Sequence, residues 1–336
     1  MSRGKTVLTG VKPTGQPHIG NYLGVIRPGL ELAIDKEVDS YFFIADYHSL
    51  TGVHDSKVLN EMVYEVAASW LSCGLDPQKT VFYRQSHVPE IFELSWILAC
   101  FSPKGLMNRA HAYKARVTET QESGKNDPDA LVNMGLYTYP ILMAADILMF
   151  NTHLVPVGED QIQHVEIARD IAQKINHTYK SQVVTVPEFV VKKNSKLIPG
   201  LDGRKMSKSY NNHIPMFAEE KKLRQLIMKV KTDSSPPKAP KDPNNSLVFD
   251  LFKEFATQEQ IKDLRDRYEK GISWGEAKQA LFEVVKETLK EIRQSYKAFM
   301  SDRRQIDILL KEGGERAREV ARPNLKKIRQ AIGIDK

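Results

Sequence analysis

Short apolar runs that alternate with segments of helical period constrain this chain more than any other feature. Tyr41-Phe42-Phe43-Ile44-Ala45 is apolar without a break, and residues 6–9, 80–83 and 154–157 read as further β-type runs. Between them, 21–32, 58–71, 89–100 and 139–150 carry helical spacing. A strand that is apolar at every position has to be covered on both faces, and helices flanking a parallel sheet do this. The expectation is an α/β fold with a doubly wound parallel sheet, whose ligands bind in loops at the carboxyl ends of the strands. Residues 118–129, polar and punctuated by Gly and Pro, read as a surface loop. A long helix opens near Glu159.

From Met216 onward the pattern is almost wholly helical, with candidates at 218–231, 247–269 in one or two pieces, 274–299, 301–311 and 316–332. Residues 233–245, rich in Pro, Asp, Ser and Asn, read as a linker-like loop. The chain therefore divides into an α/β part, 1–215, with a helical insertion at about 101–155, and an all-α part, 216–336. Charge divides in the same place. Residues 1–215 hold 22 basic and 22 acidic side chains, whereas 216–336 hold 27 and 20, so the whole net charge of +7 lies in the last third. That asymmetry fits a polyanionic partner or a Lys-rich, well-solvated helical surface.

The 41% hydrophobic and 27% charged composition excludes wholesale disorder and fibres. No apolar run approaches the ~18 residues of a membrane span, and the Gly- and Pro-broken first residues lack a leader's apolar stretch. Cys73 and Cys100 form neither a metal-type nor a redox-type pair, which favours a reducing, cytoplasmic location.

Two loops carry the chemistry. Gly15-Gln16-Pro17-His18-Ile19-Gly20-Asn21 lies between the first strand and the first helix, where glycines let a backbone approach phosphates and helix N–H groups face an anion. It has the Gly-x4-Gly spacing of a P-loop, but Asn21-Tyr22 stands where Lys-Ser/Thr is required, which excludes a Walker site. Gly203-Arg204-Lys205-Met206-Ser207-Lys208-Ser209 puts three cations and two hydroxyls on a Gly- and Asn-flanked segment able to clasp a polyphosphate. Taken singly, each is also readable as a turn or a basic surface loop. No acidic cluster suggests a resident metal.

Together these residues resemble the class I aminoacyl-tRNA synthetases. His18-Ile19-Gly20-Asn21 is similar to their His-Ile-Gly-His signature, and Lys205-Met206-Ser207-Lys208-Ser209 matches their second signature letter for letter. A chain this short has no room for a large editing insertion, which points to the tyrosyl/tryptophanyl branch. The run from Tyr139 to Leu148, Val155-Pro156-Val157-Gly158-Glu159-Asp160-Gln161 and Gln85-Ser86-His87-Val88-Pro89-Glu90 resemble blocks of the bacterial tryptophanyl-tRNA synthetases. Lys12, Leu8 and Tyr47 depart from many bacterial relatives.

The resemblance implies a Rossmann-like catalytic domain, a helical anticodon-binding domain and a cytoplasmic homodimer that uses ATP with Mg²⁺, L-tryptophan and tRNA(Trp). It implies that His18, Asn21, Lys205 and Lys208 are catalytic. It places the nucleotide against Lys12, Thr14, Gly20, Asn21, Gly158, Asp160, Lys205, Met206, Ser207, Lys208 and Ser209. It assigns tryptophan to Asp146, Met143, Tyr139, His48, Gln161, Val155 and Val157. The residues themselves agree: Tyr139, Met143 and Asp146 share one helix face, and an indole N–H, which only donates, suits a carboxylate, which only accepts. Capping or an ion pair is the plainer role for Asp146, and core packing for Tyr139 and Met143. Asp46, His48 and Gln161 are placed to line the same cleft, and Lys114 to reach phosphates or stand idle in solvent. A tyrosyl enzyme, a synthetase-like RNA-binding module without activation activity, and a nucleotidylyltransferase are the alternatives.

Overall fold

Val38–Ile44, the most apolar run, forms one of five strands in the computed structural model, which describes residues 4–35, 37–191 and 198–335. The strands are β1 (Lys5–Val11), β2 (Val38–Ile44), β3 (Val81–Arg84), β4 (Leu154–Pro156) and β5 (Glu188–Val190). All pairings are parallel and the order is β3-β2-β1-β4-β5, a Rossmann-like arrangement. The chain's direction of travel across the sheet reverses between β1 and β4. In sheets of this kind the loops leaving the two strands at such a reversal diverge and frame the ligand crevice at the carboxyl ends.

Helices cover both faces. Asp55 caps the Ser56–Ser72 helix by accepting from Lys57 N at 2.8 Å and Val58 N at 3.1 Å. Asn133 caps Met134–Met149 through Leu136 N at 2.8 Å. The latter helix buries Ile141, Ala144, Ala145 and Ile147 through Met149, and carries Asp146 into the interior with them.

Several elements differ from the sequence reading. The polar stretch 118–129 is helical in its first part, because the His111–Glu122 helix continues to Glu122. Thr118 and Thr120 donate their hydroxyls to the carbonyls of Lys114 and Arg116, four residues back, so the helix satisfies its own polar side chains. Lys114 is thus an exposed helical residue. The candidate at 274–299 divides into Trp274–Thr288 and Lys290–Ser301, and 247–269 into Leu247–Lys253 and Gln258–Lys270. Residues 233–245 form the expected loop, mostly exposed, but it is anchored at the buried Lys241. The Lys241 ammonium donates to the carbonyls of Pro236 at 3.0 Å and Ala239 at 2.9 Å, and its backbone N–H donates to Tyr268 O at 2.9 Å.

The two last candidates are one helix, Arg303–Ile332. Gly313 and Gly314, which read as a break, are its contact with the sheet: a Cβ on Gly313 would lie 1.7 Å from the Phe82 carbonyl oxygen. Glycine inside a helix costs up to ~1 kcal/mol, and here it admits the backbone of β3. The helix is stapled by Arg318 to Glu90 at 3.0 Å and by Arg329 to Glu93. Its Ile306 and Leu310 join the core beneath the Ser56–Ser72 helix, while Ala317, Ala321 and Leu325 join the core on the other side of the sheet.

Candidate active site

The first signature is a self-capping turn. His18 Nδ1 accepts from Asn21 N at 3.2 Å, and Asn21 Oδ1 accepts from His18 N at 3.1 Å, a reciprocal capping box at the start of the Ile19–Asn21 turn. Because Nδ1 accepts, the ring proton is on Nε2, which is left as a donor. Burial, with the nearby His213, Lys208 and Lys205 charges, pushes the His18 pKa down to about 4, so the ring is neutral at pH 7.

The second signature docks on the first. Met206 is buried, and its sulfur accepts from Gly20 N at 3.3 Å. A Cβ on Gly20 would meet the His18 ring at 3.0 Å and Met206 Cβ at 3.3 Å, so glycine lets the two loops pack this closely. Lys208 Nζ donates to Thr14 O at 2.8 Å. Asn212, which sequence reasoning left without a role, pins the loop. Its Oδ1 accepts from Ser207 N at 2.9 Å, and its Nδ2 donates to Asp202 Oδ1 at 2.7 Å and Lys205 O at 3.1 Å. Lys205 and Ser209 are exposed on this loop. Lys12 Nζ donates to Thr51 Oγ1 at 3.2 Å. Gly158 and Asp160 lie just beyond the carboxyl end of β4, at the same crevice.

Asp146 is completely buried at the head of a second group. His48 Nε2 lies 2.9 Å from its Oδ2, and Gln85 Nε2 lies 2.9 Å from both carboxylate oxygens. Burial raises the Asp146 pKa, while the bonds from His48 and Gln85 oppose the shift. Tyr139 O–H and His164 Nε2 are hydrogen-bonded, and His164 Nδ1 lies 2.8 Å from Gln161 Oε1. Gln161 Nε2 donates to Asp160 Oδ2 at 3.0 Å, which turns its oxygen toward His164. His164 therefore carries its proton on Nδ1, and the Tyr139 hydroxyl donates to Nε2. Burial, then the charge of His111, pushes His164 down to about 4. Met143 and Val157 are half-buried against the core that holds Val155.

Of the sequence-derived residues, the structure links His18, Gly20, Asn21, Thr14, Met206 and Lys208 into one group and His48, Tyr139, Asp146, Asp160 and Gln161 into another by hydrogen bonds and the His48–Tyr139 ring contact. Asp46 does not line the cleft. It accepts from Ser86 Oγ at 2.6 Å, Ser86 N at 3.2 Å and Arg84 Nε at 3.2 Å, and so ties the end of β2 to the end of β3. Of the departing residues, Leu8 is core and Tyr47 packs on Phe92 with ring centroids 4.4 Å apart. His164 and Gln85 had no sequence signal of their own; the block around Gln85 was the nearest.

A parallel sheet of this order, with these two signature loops docked together at the crevice, defines a class I aminoacyl-tRNA synthetase, and the family model for class I tRNA synthetases (W and Y) matches residues 2–290. The chain is 49% identical to the tryptophan–tRNA ligase of Neisseria meningitidis serogroup A over 98% of each chain. It is likewise 49% identical to that of Pseudomonas aeruginosa, over 98% of this chain and 73% of the other. The crystal structure of tryptophanyl-tRNA synthetase from Campylobacter jejuni complexed with ADP and tryptophan superposes with a TM-score of 0.90 at 42% identity, covering 98% of this chain and 99% of that one. The chain belongs to the bacterial tryptophan–tRNA ligases.

The neutral histidines make a stability prediction. A group whose folded pKa is depressed to about 4 resists a proton that the unfolded chain accepts from about pH 6.5 downward. His164 therefore costs the fold stability as pH falls from 6.5 toward 4. In urea titrations at a series of pH values, the stability of His164→Gln relative to the parent is expected to improve steadily across that window. A constant difference would contradict the buried neutral ring.

Proposed function

We propose that the chain activates L-tryptophan with ATP in the crevice between β1 and β4 and transfers it to tRNA(Trp), with the residues above in the following roles. The observation that carries this reading is that Asp146 heads an otherwise apolar helix face, while the Lys205–Lys208 loop docks at the His18 turn of the same crevice. The tryptophan carboxylate attacks the α-phosphorus of ATP in line, forming tryptophanyl-adenylate as pyrophosphate leaves. The nucleophile is already ionised at neutral pH, so no base is required, and catalysis rests on positioning and charge stabilisation.

His18 Nε2–H and the Asn21 amide donate to the nucleotide, while Thr14, Gly20, Ser207, Ser209 and Met206 shape its seat. Gly158 leaves space at the end of β4, where Asp160 accepts from ribose hydroxyls. Lys205 and Lys208 stabilise the leaving pyrophosphate, and Lys12 adds a cation beside Thr14. Asp146 accepts the indole N–H, Met143, Val155 and Val157 pack the ring, and Tyr139 and Gln161 face the polar end; His48, expected to bind tryptophan, stands at the indole end, bonded to Asp146. Mg²⁺ enters with the nucleotide, whose phosphates supply the oxygen ligands such an ion prefers.

We assign 1–215 to catalysis and the helical region from 216 onward, where 216–336 holds 27 basic against 20 acidic residues, to the tRNA anticodon, except that the Arg303–Ile332 helix, packed on β3, returns to the catalytic unit. A homodimer fits Trp96, 74% exposed on the Glu90–Phe101 helix. No helix among the described residues is long and apolar enough to cross a membrane. The same reading places the chain in the cytoplasm, beside its tRNA. ATP–pyrophosphate exchange tests the reading. Exchange is expected with tryptophan and to be lower by orders of magnitude with tyrosine. Exchange driven by tyrosine would assign the sister specificity, and none with either would make the chain a binding module.

A further inference from the structure

Gln85 follows the last residue of β3 and opens the short turn Gln85–His87. It is fully buried, and its amide nitrogen is 2.9 Å from each oxygen of Asp146. The orientation of the amide is dictated, because its oxygen turned toward a carboxylate would repel it. The consequence is that Gln85 Oε1 is buried with no hydrogen-bond partner among the described residues. An orphaned buried acceptor destabilises a fold and needs an explanation beyond packing.

The acceptor count at Asp146 supplies one. Each carboxylate oxygen has about two acceptor directions. Among the described residues, Oδ2 receives His48 Nε2–H and a share of the Gln85 amide, whereas Oδ1 receives the Gln85 amide alone. One acceptor direction therefore stays open, and it is on Oδ1. Asp146 also sits inside an apolar stretch of the Met134–Met149 helix, among Ala144, Ala145, Ile147 and Leu148, whose side chains offer no hydrogen-bond donor. Its orientation is set from across the cleft, by the ends of β2 and β3.

We propose that Gln85 is the positioning residue of tryptophan recognition. Its amide bridges both oxygens of Asp146 and, with His48 on Oδ2, fixes the carboxylate plane so that the open direction of Oδ1 receives the indole N–H. The inference rests on Asp146 being the indole acceptor. A glutamine that only filled space would make no distinction between a ligand with an N–H and one without. A glutamine acting through Asp146 does.

The test compares tryptophan with β-(3-benzothienyl)alanine, which keeps the bicyclic shape but has sulfur in place of the N–H. Exchange kinetics are measured for both with the full-length parent, Gln85→Met, Gln85→Glu and Asp146→Ala, each first checked by thermal unfolding and by its KM for ATP. Gln85→Met keeps the length and removes the donor. It is expected to cut the preference for tryptophan by about tenfold or more, through the KM for tryptophan and not the KM for ATP. Gln85→Glu, nearly isosteric, puts a second carboxyl against Asp146, and whether the two repel or share one proton the bridge to both oxygens of Asp146 is lost; it is expected to do the same and serves if the methionine variant does not fold. In the Asp146→Ala background, adding Gln85→Met should change the preference no further. Equal weakening of both ligands by Gln85→Met and Gln85→Glu would overturn the role of Gln85. If Asp146→Ala itself left the preference intact, the reading of Asp146 as the indole acceptor would fall.

Discussion

Replacing Lys205 with alanine is expected to slow tryptophan-dependent ATP–pyrophosphate exchange by about 10²–10³-fold, the loss typical of removing one well-placed transition-state stabiliser. The side chain is exposed on a loop whose backbone is held at both ends. Upstream, Gly200 N donates to the Arg204 carbonyl at 2.7 Å; downstream, Met206 is buried beneath Gly20 and Asn212 pins Ser207. Among the described residues the Lys205 ammonium has no hydrogen-bond or ion-pair partner. Its charge is therefore available to the pyrophosphate as negative charge develops on it. Removing it should fall mainly on kcat, and the dissociation constant for tryptophan, measured without ATP, should move less than about threefold. Circular dichroism should be unchanged, because the truncated side chain supports no core residue. Equal exchange rates for parent and variant would remove Lys205 from the chemistry. The neighbouring Lys208 offers a weaker test, since it already donates to Thr14 O and so also helps dock the loop.

The architecture and the two signature loops were legible because each rests on local pattern. Tyr41–Ala45 is apolar at every position, and a strand of that kind is compatible with few surroundings. His18 and Asn21 are three residues apart and cap each other, so the motif and its geometry are one local unit. The helical face of Tyr139, Met143 and Asp146 follows from spacing alone. What could not be read depends on distant partners. Gln85 reaches Asp146 across 61 residues and His164 reaches Tyr139 across 25, and a buried polar residue leaves no periodic trace. Gly313 and Gly314 carry the ordinary mark of a helix end, and only the Phe82 carbonyl against Gly313 and the His87 side chain against Gly314 show that they serve close packing inside a continuing helix. Lys241 shows the same limit. In a stretch of Pro, Asp and Asn it reads as a solvated cation, yet it gathers the loop's carbonyls around its ammonium.

Asp146→Ala is expected to lower kcat/KM for tryptophan by about 10²–10³-fold and to erode the margin over tyrosine. Two losses combine. The charge-assisted hydrogen bond to the indole N–H contributes about 1.5–3 kcal/mol, and removing the carboxylate also strands the donors of His48 and Gln85 in a buried site, at about 1–3 kcal/mol each. Some of the second loss falls on the empty protein and appears as reduced stability, so the kinetic effect is smaller than the sum. Discrimination is where the largest change lies. A site built to hydrogen-bond a ligand can reject one lacking the partner group by on the order of 10⁴–10⁵, and that rejection depends on the carboxylate. Asp146→Asn separates shape from charge. His48 Nε2–H, the Gln85 amide and the indole N–H all converge on this position as donors. An amide has only one accepting oxygen, and its NH₂ would oppose one of the three. The asparagine variant should therefore fold more nearly like the parent and still bind tryptophan poorly, whereas a purely structural Asp146 would tolerate the substitution in kcat/KM for tryptophan and in its ratio to that for tyrosine.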